Sequence, residues 1–123
     1  MNYRNSKYGA KKTPRTLRGG KQYTFSSKHE AERYDQLMVA KRAGLIRNLI
    51  LQPEFTLVEG FRDIDTGEHI KPIKYIADFR YEQPGDGGVW ETVVEDAKGV
   101  RTDVYSLKVK MMLAQKGIRV VEV

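Results

Sequence analysis

Two aspartates and a lysine in the second half of the chain have the residue types and the spacing of a metal-assisted site. Asp78 interrupts an apolar segment, and Asp96 and Lys98 stand two positions apart near the end of a later one. Side chains alternate along a strand, so Asp96 and Lys98 share one face, whereas Glu95 points to the opposite face. This alternation assigns Asp96 rather than Glu95 to the site.

Two carboxylates on neighbouring strands repel each other unless a cation lies between them. Carboxylate oxygens suit Mg²⁺ or Mn²⁺, and such an ion polarises a phosphodiester oxygen and lowers the pKa of a bound water. A nearby lysine neutralises charge that develops on the phosphate. Together Asp78, Asp96 and Lys98 predict hydrolysis of phosphodiester bonds, with Mg²⁺ (or Mn²⁺) as the cofactor.

Each part of this pattern also has a simpler explanation. An acid and a lysine two positions apart are common on a solvated strand face. Asp78 lies among apolar residues, where a charge needs a partner, and an ion pair with Lys74, Arg80 or Lys98 would supply one. The hypothesis therefore depends on the elements that position these residues.

Two helices are predicted from capping signals and apolar spacing. The first begins at Ser27 and Glu30, which fit a capping box, and ends near Gly44. The second begins at Thr102 or Asp103 and runs to about residue 116. Its buried face is expected to consist of Val104, Leu107, Met111 and Ala114.

Four strands are predicted at residues 49–61, 70–82, 89–98 and 118–123. The first three are expected to form an antiparallel meander, and the last to pair in parallel after the crossover through the second helix. One apolar face is expected in the second strand: Ile73, Tyr75, Ala77, Phe79 and Tyr81. The predicted fold class is α/β in the order αβββαβ, with a mixed sheet flanked by helices in one domain from residue 25 to residue 123.

The positive charge of the chain is concentrated at its N-terminus. Residues 1–28 contain eight basic and no acidic side chains, while the formal net charge is +6. Residues 1–24 are predicted to form a flexible basic arm with a short strand near residues 22–25. Such an arm attracts nucleic acid through phosphate contacts, although a solubilising tail would have the same composition. The side chains expected to contact DNA are Lys7, Lys11, Lys12, Arg15, Arg18, Lys21, Lys74 and Lys108.

Composition excludes several other classes. The chain has no cysteine, which rules out disulfides, thiol nucleophiles and cysteine-based zinc sites and is compatible with a reducing cytosol. No apolar run approaches the roughly 20 residues of a membrane helix, and the basic N-terminus lacks the apolar run of a secretory signal. A cytoplasmic protein without a membrane partner is expected. His29 and His69 lack the spacing of a metal site or a catalytic triad.

Four segments give the chain a resemblance to a known group of enzymes. They are SKHEAERY at 27–34, LQP at 51–53, YIADF at 75–79 and VEDAKG at 94–99. This combination resembles the PD-(D/E)XK nuclease superfamily, and more narrowly a family of small phage and prophage proteins grouped with it. The resemblance implies a restriction-endonuclease-like core and a Mg²⁺-dependent DNA endonuclease.

Position by position, the resemblance assigns the first motif acid to Asp78, the second acid to Asp96 and the lysine to Lys98, with Ala77 in place of the motif's proline. Glu30 matches an acid that many members supply as a further metal ligand, although its place in the capping box explains it equally well. Gln52, in the first strand, is a candidate for orienting the attacking water or a phosphate.

The resemblance and the small size favour branched, Holliday-junction-like DNA as the substrate, in phage recombination or replication within the host cytoplasm. Symmetrical cutting of two strands would call for a homodimer. The alternative function is a non-catalytic nucleic-acid-binding protein on the same fold. A pure phosphate binder has no reason to place two acids beside its groove, since they repel the ligand.

Overall fold

The computed structural model describes residues 11–97 and 101–123, which form two α-helices, ten short strands and two single-turn 3₁₀ helices at Arg18–Gly20 and Asp86–Gly88. In chain order the elements are β1 (Thr13–Thr16), β2 (Gln22–Phe25), α1 (Lys28–Arg42), β3 (Arg47–Leu51), β4 (Glu54–Val58), β5 (Phe61–Arg62), β6 (His69–Ile70), β7 (Ile73–Ile76), β8 (Phe79–Pro84), β9 (Trp90–Asp96), α2 (Asp103–Lys116) and β10 (Val121–Glu122). No helix within the described ranges is long and apolar enough to cross a membrane.

A mixed four-stranded sheet forms the centre, in the order β10-β9-β8-β3. Strands β3, β8 and β9 pair antiparallel, and β10 pairs parallel to β9 after the crossover through α2. Parallel neighbours require such a crossover, which is why the final strand could be predicted from the helix before it. The prediction of an α/β protein with a mixed sheet is confirmed.

The two helices cover opposite faces of this sheet, each over its own apolar cluster. On the α1 side the buried residues include Phe25, Tyr34, Leu37, Phe79 and Tyr81. On the α2 side they include Tyr75, Val94, Tyr105, Met112 and Val120. Residues that follow one another along β9, such as Val93 and Val94, therefore contact different clusters.

The predicted strand over residues 70–82 is interrupted at Ala77 and Asp78. The Ala77 N–H donates to Pro53 O at 3.1 Å, and the Asp78 N–H donates to Glu95 O at 3.1 Å, so the chain changes pairing partner between these residues. The first predicted strand divides in the same way, since β3 pairs with β8 and β4 with β7.

This interruption makes the expected apolar face wrong. Tyr75 and Ala77 are buried in the α2-side cluster, whereas Phe79 and Tyr81 are buried in the α1-side cluster. Ile73 is exposed over 44% of its surface. Strict alternation holds only within one straight strand, and the change of partner reverses the faces.

The helix ends agree with the sequence. Ser27 caps α1 by accepting from the Glu30 N–H at 3.0 Å, and Thr102 caps α2 by accepting from the Tyr105 N–H at 3.1 Å. Gly117 ends α2 in the left-handed conformation that glycine adopts without strain.

The predicted buried face of α2 is wrong except at Met111, which is half-buried against the α2-side cluster. Val104 and Leu107 are 61% and 56% exposed, and the buried side chains are Tyr105 and Met112. The Tyr105 ring packs beside Tyr75 with centroids 6.3 Å apart, and its hydroxyl donates to Glu122 at 2.9 Å. A tyrosine buries a large apolar ring while its hydroxyl keeps a polar partner.

Residues 11–24 differ from the flexible arm predicted over residues 1–24, of which residues 1–10 lie outside the described residues. Strands β1 and β2 form an antiparallel hairpin, which includes the short strand expected near residues 22–25. Phe25 is 1% exposed and packs against Tyr34 of α1, and Arg15 binds Asp35 at 2.9 Å. The hairpin is therefore part of the α1-side cluster.

Candidate functional site

Asp78 is held between two strands by its backbone and by its side chain. Its N–H donates to Glu95 O at 3.1 Å, and its carbonyl accepts from the Gln52 N–H at 3.0 Å. Its carboxylate accepts from the Ala97 N–H through Oδ2 at 2.7 Å. The interruption of the strand thus turns this side chain toward the end of β9.

Asp96 is the last residue of β9 and is 2% exposed. Phe79 pairs with Glu95, and continuing that register places Asp78 opposite Asp96. The Tyr75 hydroxyl donates to Asp96 Oδ2 at 2.5 Å. The pKa of Tyr75 is raised, mainly by burial and secondly by this hydrogen bond. The hydroxyl therefore stays protonated and donates to the carboxylate.

Glu30 brings a third carboxylate to this place from the first turn of α1, and it is 3% exposed. Its backbone N–H makes the cap with Ser27, while its carboxylate accepts from the Ser26 hydroxyl at 2.5 Å. The cap hydrogen bond shown here thus uses the Glu30 backbone, and the carboxylate has a partner of its own in Ser26.

The charges of Asp96 and Glu30 both act on Asp78. The pKa of Asp78 is raised to about 7, first by burial, then by the negative charge of Asp96 and then by that of Glu30. The Ala97 N–H works in the opposite direction. Charges that disfavour one another in this way fit a site that receives a cation.

We expect Asp78 to make the metal-free protein less stable as the pH rises from about 4 to about 7. In that window the folded state keeps a proton on Asp78 that the unfolded chain, with an ordinary pKa of 3.8, has released. The free energy of unfolding of Asp78→Asn is compared with that of the natural chain at each pH. This difference should favour the variant more at pH 7 than at pH 4, by at most about 4 kcal/mol. Urea unfolding of both proteins in EDTA measures this difference.

The comparison between the two proteins matters because other carboxylates have the opposite sign. The pKa of Glu82 is lowered by Arg47, and the pKa of Glu122 is lowered by Arg101, and these contributions are common to both proteins. Asp86→Asn, in an exposed turn, is the matched control. A stability difference that is the same at pH 4 and pH 7 would contradict the proton on Asp78.

Glu95 points away from this site, as strand alternation predicts. Its carboxylate accepts from Arg33 Nε at 2.8 Å and Nη2 at 2.6 Å, and from the Tyr81 hydroxyl. It is 1% exposed, on the α1 side of the sheet. Arg33 follows Glu30 by one turn of α1, and Glu95 precedes Asp96 in β9. This ion pair therefore links α1 and β9, the two elements that carry Glu30 and Asp96.

The ion-pair explanation of Asp78 lacks a partner among the residues the structure describes. Lys74 pairs instead with Glu54 at 3.3 Å, and neither Asp78 nor Asp96 forms a salt bridge with a lysine or arginine in residues 11–97 or 101–123. Lys98 lies outside the described residues, so both its expected catalytic role and its pairing with Asp78 remain predictions.

Gln52 is brought next to the site by its backbone, which donates to Asp78. The residue is exposed and has a φ of 49°, in the left-handed region that is strained for a residue other than glycine. Such strain is concentrated at functional positions, and it turns the chain from β3 toward β4 at the edge of the site.

The residues expected to contact DNA have different surroundings. Arg15 and Lys74 are held by the acids Asp35 and Glu54. Lys108 is half-buried on α2. Four are exposed in or before the hairpin: Lys11, Lys12, Arg18 and Lys21. Lys7 lies outside the described residues.

Several residues around the site were missed by sequence reasoning. Tyr75 donates to Asp96, Ser26 donates to Glu30, and the Tyr23 pKa is raised by burial and then by the charges of Glu30 and Asp78. The Arg33–Glu95 pair was also missed. Glu95 could have predicted this pair. Alternation places its charge on an apolar face of the strand, where a carboxylate requires a partner.

The chemistry of the donors suits a hard divalent cation, although the side chains are not gathered around one position. Within residues 11–97 and 101–123, no group of three or more His, Cys, Asp or Glu side chains is arranged to hold a metal ion. A cation would draw Asp78, Asp96 and Glu30 together by cancelling their repulsion. Their oxygens match Mg²⁺ or Mn²⁺.

Comparison with known proteins places the sequence in a family without an assigned activity. A family model described as "Protein of unknown function (DUF1064)" matches residues 5–121. No curated protein and no solved structure matches the chain.

Proposed function

The chain belongs to the DUF1064 family of proteins of unknown function, and we propose that it is a metal-dependent endonuclease that hydrolyses DNA phosphodiester bonds. One observation carries this proposal. Two carboxylates on paired strands and a third from the first turn of α1 lie close enough to raise the pKa of Asp78 through their charges. Clustered carboxylates destabilise the fold by repelling one another, and a bound cation would offset that repulsion.

The topology supports the same proposal. The elements α1, β3, β8, β9, α2 and β10 follow the αβββαβ order expected from the resemblance to the PD-(D/E)XK superfamily. Asp78 precedes β8 and Asp96 ends β9, and these are the two residues to which the resemblance assigns the motif acids. Strands β4 to β7 extend from this core between β3 and β8.

Asp78, Asp96 and Glu30 would hold the cation, Mg²⁺ or Mn²⁺, which when bound polarises the phosphodiester and acidifies water. The Tyr75 hydroxyl donates to one oxygen of Asp96, and the other oxygen would contact the cation. Lys98 is proposed to neutralise charge on the phosphate, and Gln52 to orient the water or a phosphate oxygen. Three exposed cations in or before the hairpin would contact the DNA backbone: Lys11, Lys12 and Lys21.

For the substrate we propose branched, Holliday-junction-like DNA, cut by a homodimer, on the basis of the family resemblance and the small size of the chain. Two symmetric cuts require two sites related by a two-fold axis. The alternative, a DNA-binding protein without catalysis, shares the basic hairpin but gives no role to the three acids.

A substrate panel tests the activity and separates it from simple binding. Supercoiled plasmid, linear duplex and a four-way junction are incubated with the full chain in Mg²⁺, Mn²⁺ or EDTA. We expect the junction to be cut with either metal and no substrate to be cut in EDTA. Binding to all three substrates without metal-dependent cleavage of any of them would support the non-catalytic alternative.

A further inference from the structure

A groove on the α1 side of the molecule is separate from the carboxylate site. It has a cavity volume of about 770 Å³ and lies between the hairpin turn, the second half of α1 and β3. Its apolar part is formed by Leu17, Met38, Leu49 and Leu51, all of them half-buried. A cavity of this size holds a few side chains of a ligand.

Three cations from two elements line the same groove. Arg18 comes from the turn between β1 and β2, and Lys41 and Arg42 from the last turn of α1. No acidic residue of the described ranges is among its lining residues. Asp35, the acid of α1 that is closest in sequence to Lys41 and Arg42, is bound by Arg15. A ligand for this surface must therefore combine negative charge with apolar side chains.

From this combination we propose that the groove binds an extended acidic peptide segment of a partner protein, with apolar side chains between its carboxylates. Strand β3 lies at the edge of the central sheet, so an extended segment can run alongside it. Alternate side chains of that segment then face the leucines and Met38, while the others reach Arg18, Lys41 and Arg42.

Two other occupants fit the groove less well. Single-stranded nucleic acid stacks its bases on exposed aromatic faces, and the one aromatic residue lining this groove, Tyr34, is 9% exposed. The chain's own N-terminal segment, residues 1–10, contains two basic and no acidic residues, so its charge is not complementary to the three cations. The acidic peptide satisfies both the charge and the apolar lining.

Fluorescence polarisation tests the proposal with a fluorescein-labelled octapeptide of alternating glutamate and leucine and the full-length chain. Two control peptides replace either the glutamates by glutamine or the leucines by serine. We expect saturable binding of the first peptide and at least about tenfold weaker binding of each control, because both features contribute. Equal binding of all three peptides, or no saturable binding, would overturn the proposal.

Variants locate the binding to the groove. Arg42→Glu should weaken it about tenfold. Lys116→Glu, which makes the same change in the last turn of α2, should leave it unchanged. Leu49→Thr tests the apolar lining and should weaken binding about threefold. Equal effects of the two charge reversals would mean nonspecific attraction to a basic protein and would reject the site.

Competition separates the peptide from nucleic acid and from the nuclease site. An excess of a twelve-residue oligothymidylate should leave the labelled peptide bound. If the oligothymidylate displaces the labelled peptide at a lower concentration than the unlabelled peptide does, the groove binds nucleic acid instead. Asp96→Asn, outside the groove, should keep peptide binding. The result therefore stands or falls independently of the proposed cleavage activity.

Discussion

Asp96→Asn should abolish metal-dependent cleavage while leaving the fold intact. The substitution removes a negative charge from the centre of the carboxylate cluster and should lower the rate by about 10³-fold, the scale on which loss of a charge-stabilising group acts. The folded state should persist because the asparagine oxygen can still accept from the Tyr75 hydroxyl, which now donates to Asp96 Oδ2. Single-turnover cleavage of a four-way junction in Mg²⁺ measures the loss.

The pKa of Asp78 distinguishes this outcome from general damage to the site. The Asp96 charge is the second largest cause of its rise to about 7, so the variant should move the Asp78 pKa toward its ordinary value. Carboxyl NMR titration measures that change in EDTA. Asp86→Asn in the exposed turn is the matched control and should cut DNA like the natural chain. Cleavage by Asp96→Asn at the natural rate would remove this residue from the mechanism.

Arg33→Met should destabilise the protein by about 3–5 kcal/mol, because it leaves a buried carboxylate without its charged partner. Glu95 is 1% exposed, and Arg33 makes two of its hydrogen bonds. The Tyr81 hydroxyl alone cannot compensate a buried charge. Urea unfolding at pH 7 measures the change in the free energy of unfolding.

A surface pair and a double variant provide the controls. Arg15→Met breaks a more exposed pair with Asp35 and should cost much less stability than Arg33→Met, because exposed ion pairs contribute little. Adding Glu95→Leu to Arg33→Met removes the unpaired charge and should recover much of the lost stability. If Arg33→Met costs no more than Arg15→Met, Glu95 is not a charge that depends on Arg33.

The Arg33–Glu95 pair also bears on the candidate site, since it joins α1 to β9. Glu30 and Asp96 lie on these same two elements. The double variant should therefore bind Mn²⁺ more weakly than the natural chain even where its stability is recovered. Undiminished metal binding would mean that the pair serves stability alone.

The sequence predicts the elements of this fold better than the faces they bury. Capping residues such as Ser27, Thr102 and Gly117 act within one turn, so the helix ends could be read locally. The parallel β10 followed from the crossover rule. The face of α2 could not be predicted, because Tyr105 is selected by a ring contact with Tyr75 and a hydrogen bond to Glu122, and both partners are distant in sequence.

The candidate site shows the same division. Alternation within β9 separated Asp96 from Glu95 correctly, because that strand is regular. Alternation failed across Ala77 and Asp78, because the backbone hydrogen-bond partner changes there from Pro53 to Glu95. That change of partner arises from tertiary pairing, and the partners it creates, Tyr75 with Asp96 and Arg33 with Glu95, lie far apart in sequence.

A calorimetric titration of Mn²⁺ into the metal-free protein at pH 7.5 tests the proposed cation site without depending on any DNA substrate. We expect saturable binding to the natural chain and to Asp86→Asn, with protons released as Asp78 ionises. Asp78→Asn and Asp96→Asn should each lose this binding. Absence of binding to the natural chain, or binding of the same strength in all four proteins, would contradict a cation site formed by Asp78, Asp96 and Glu30.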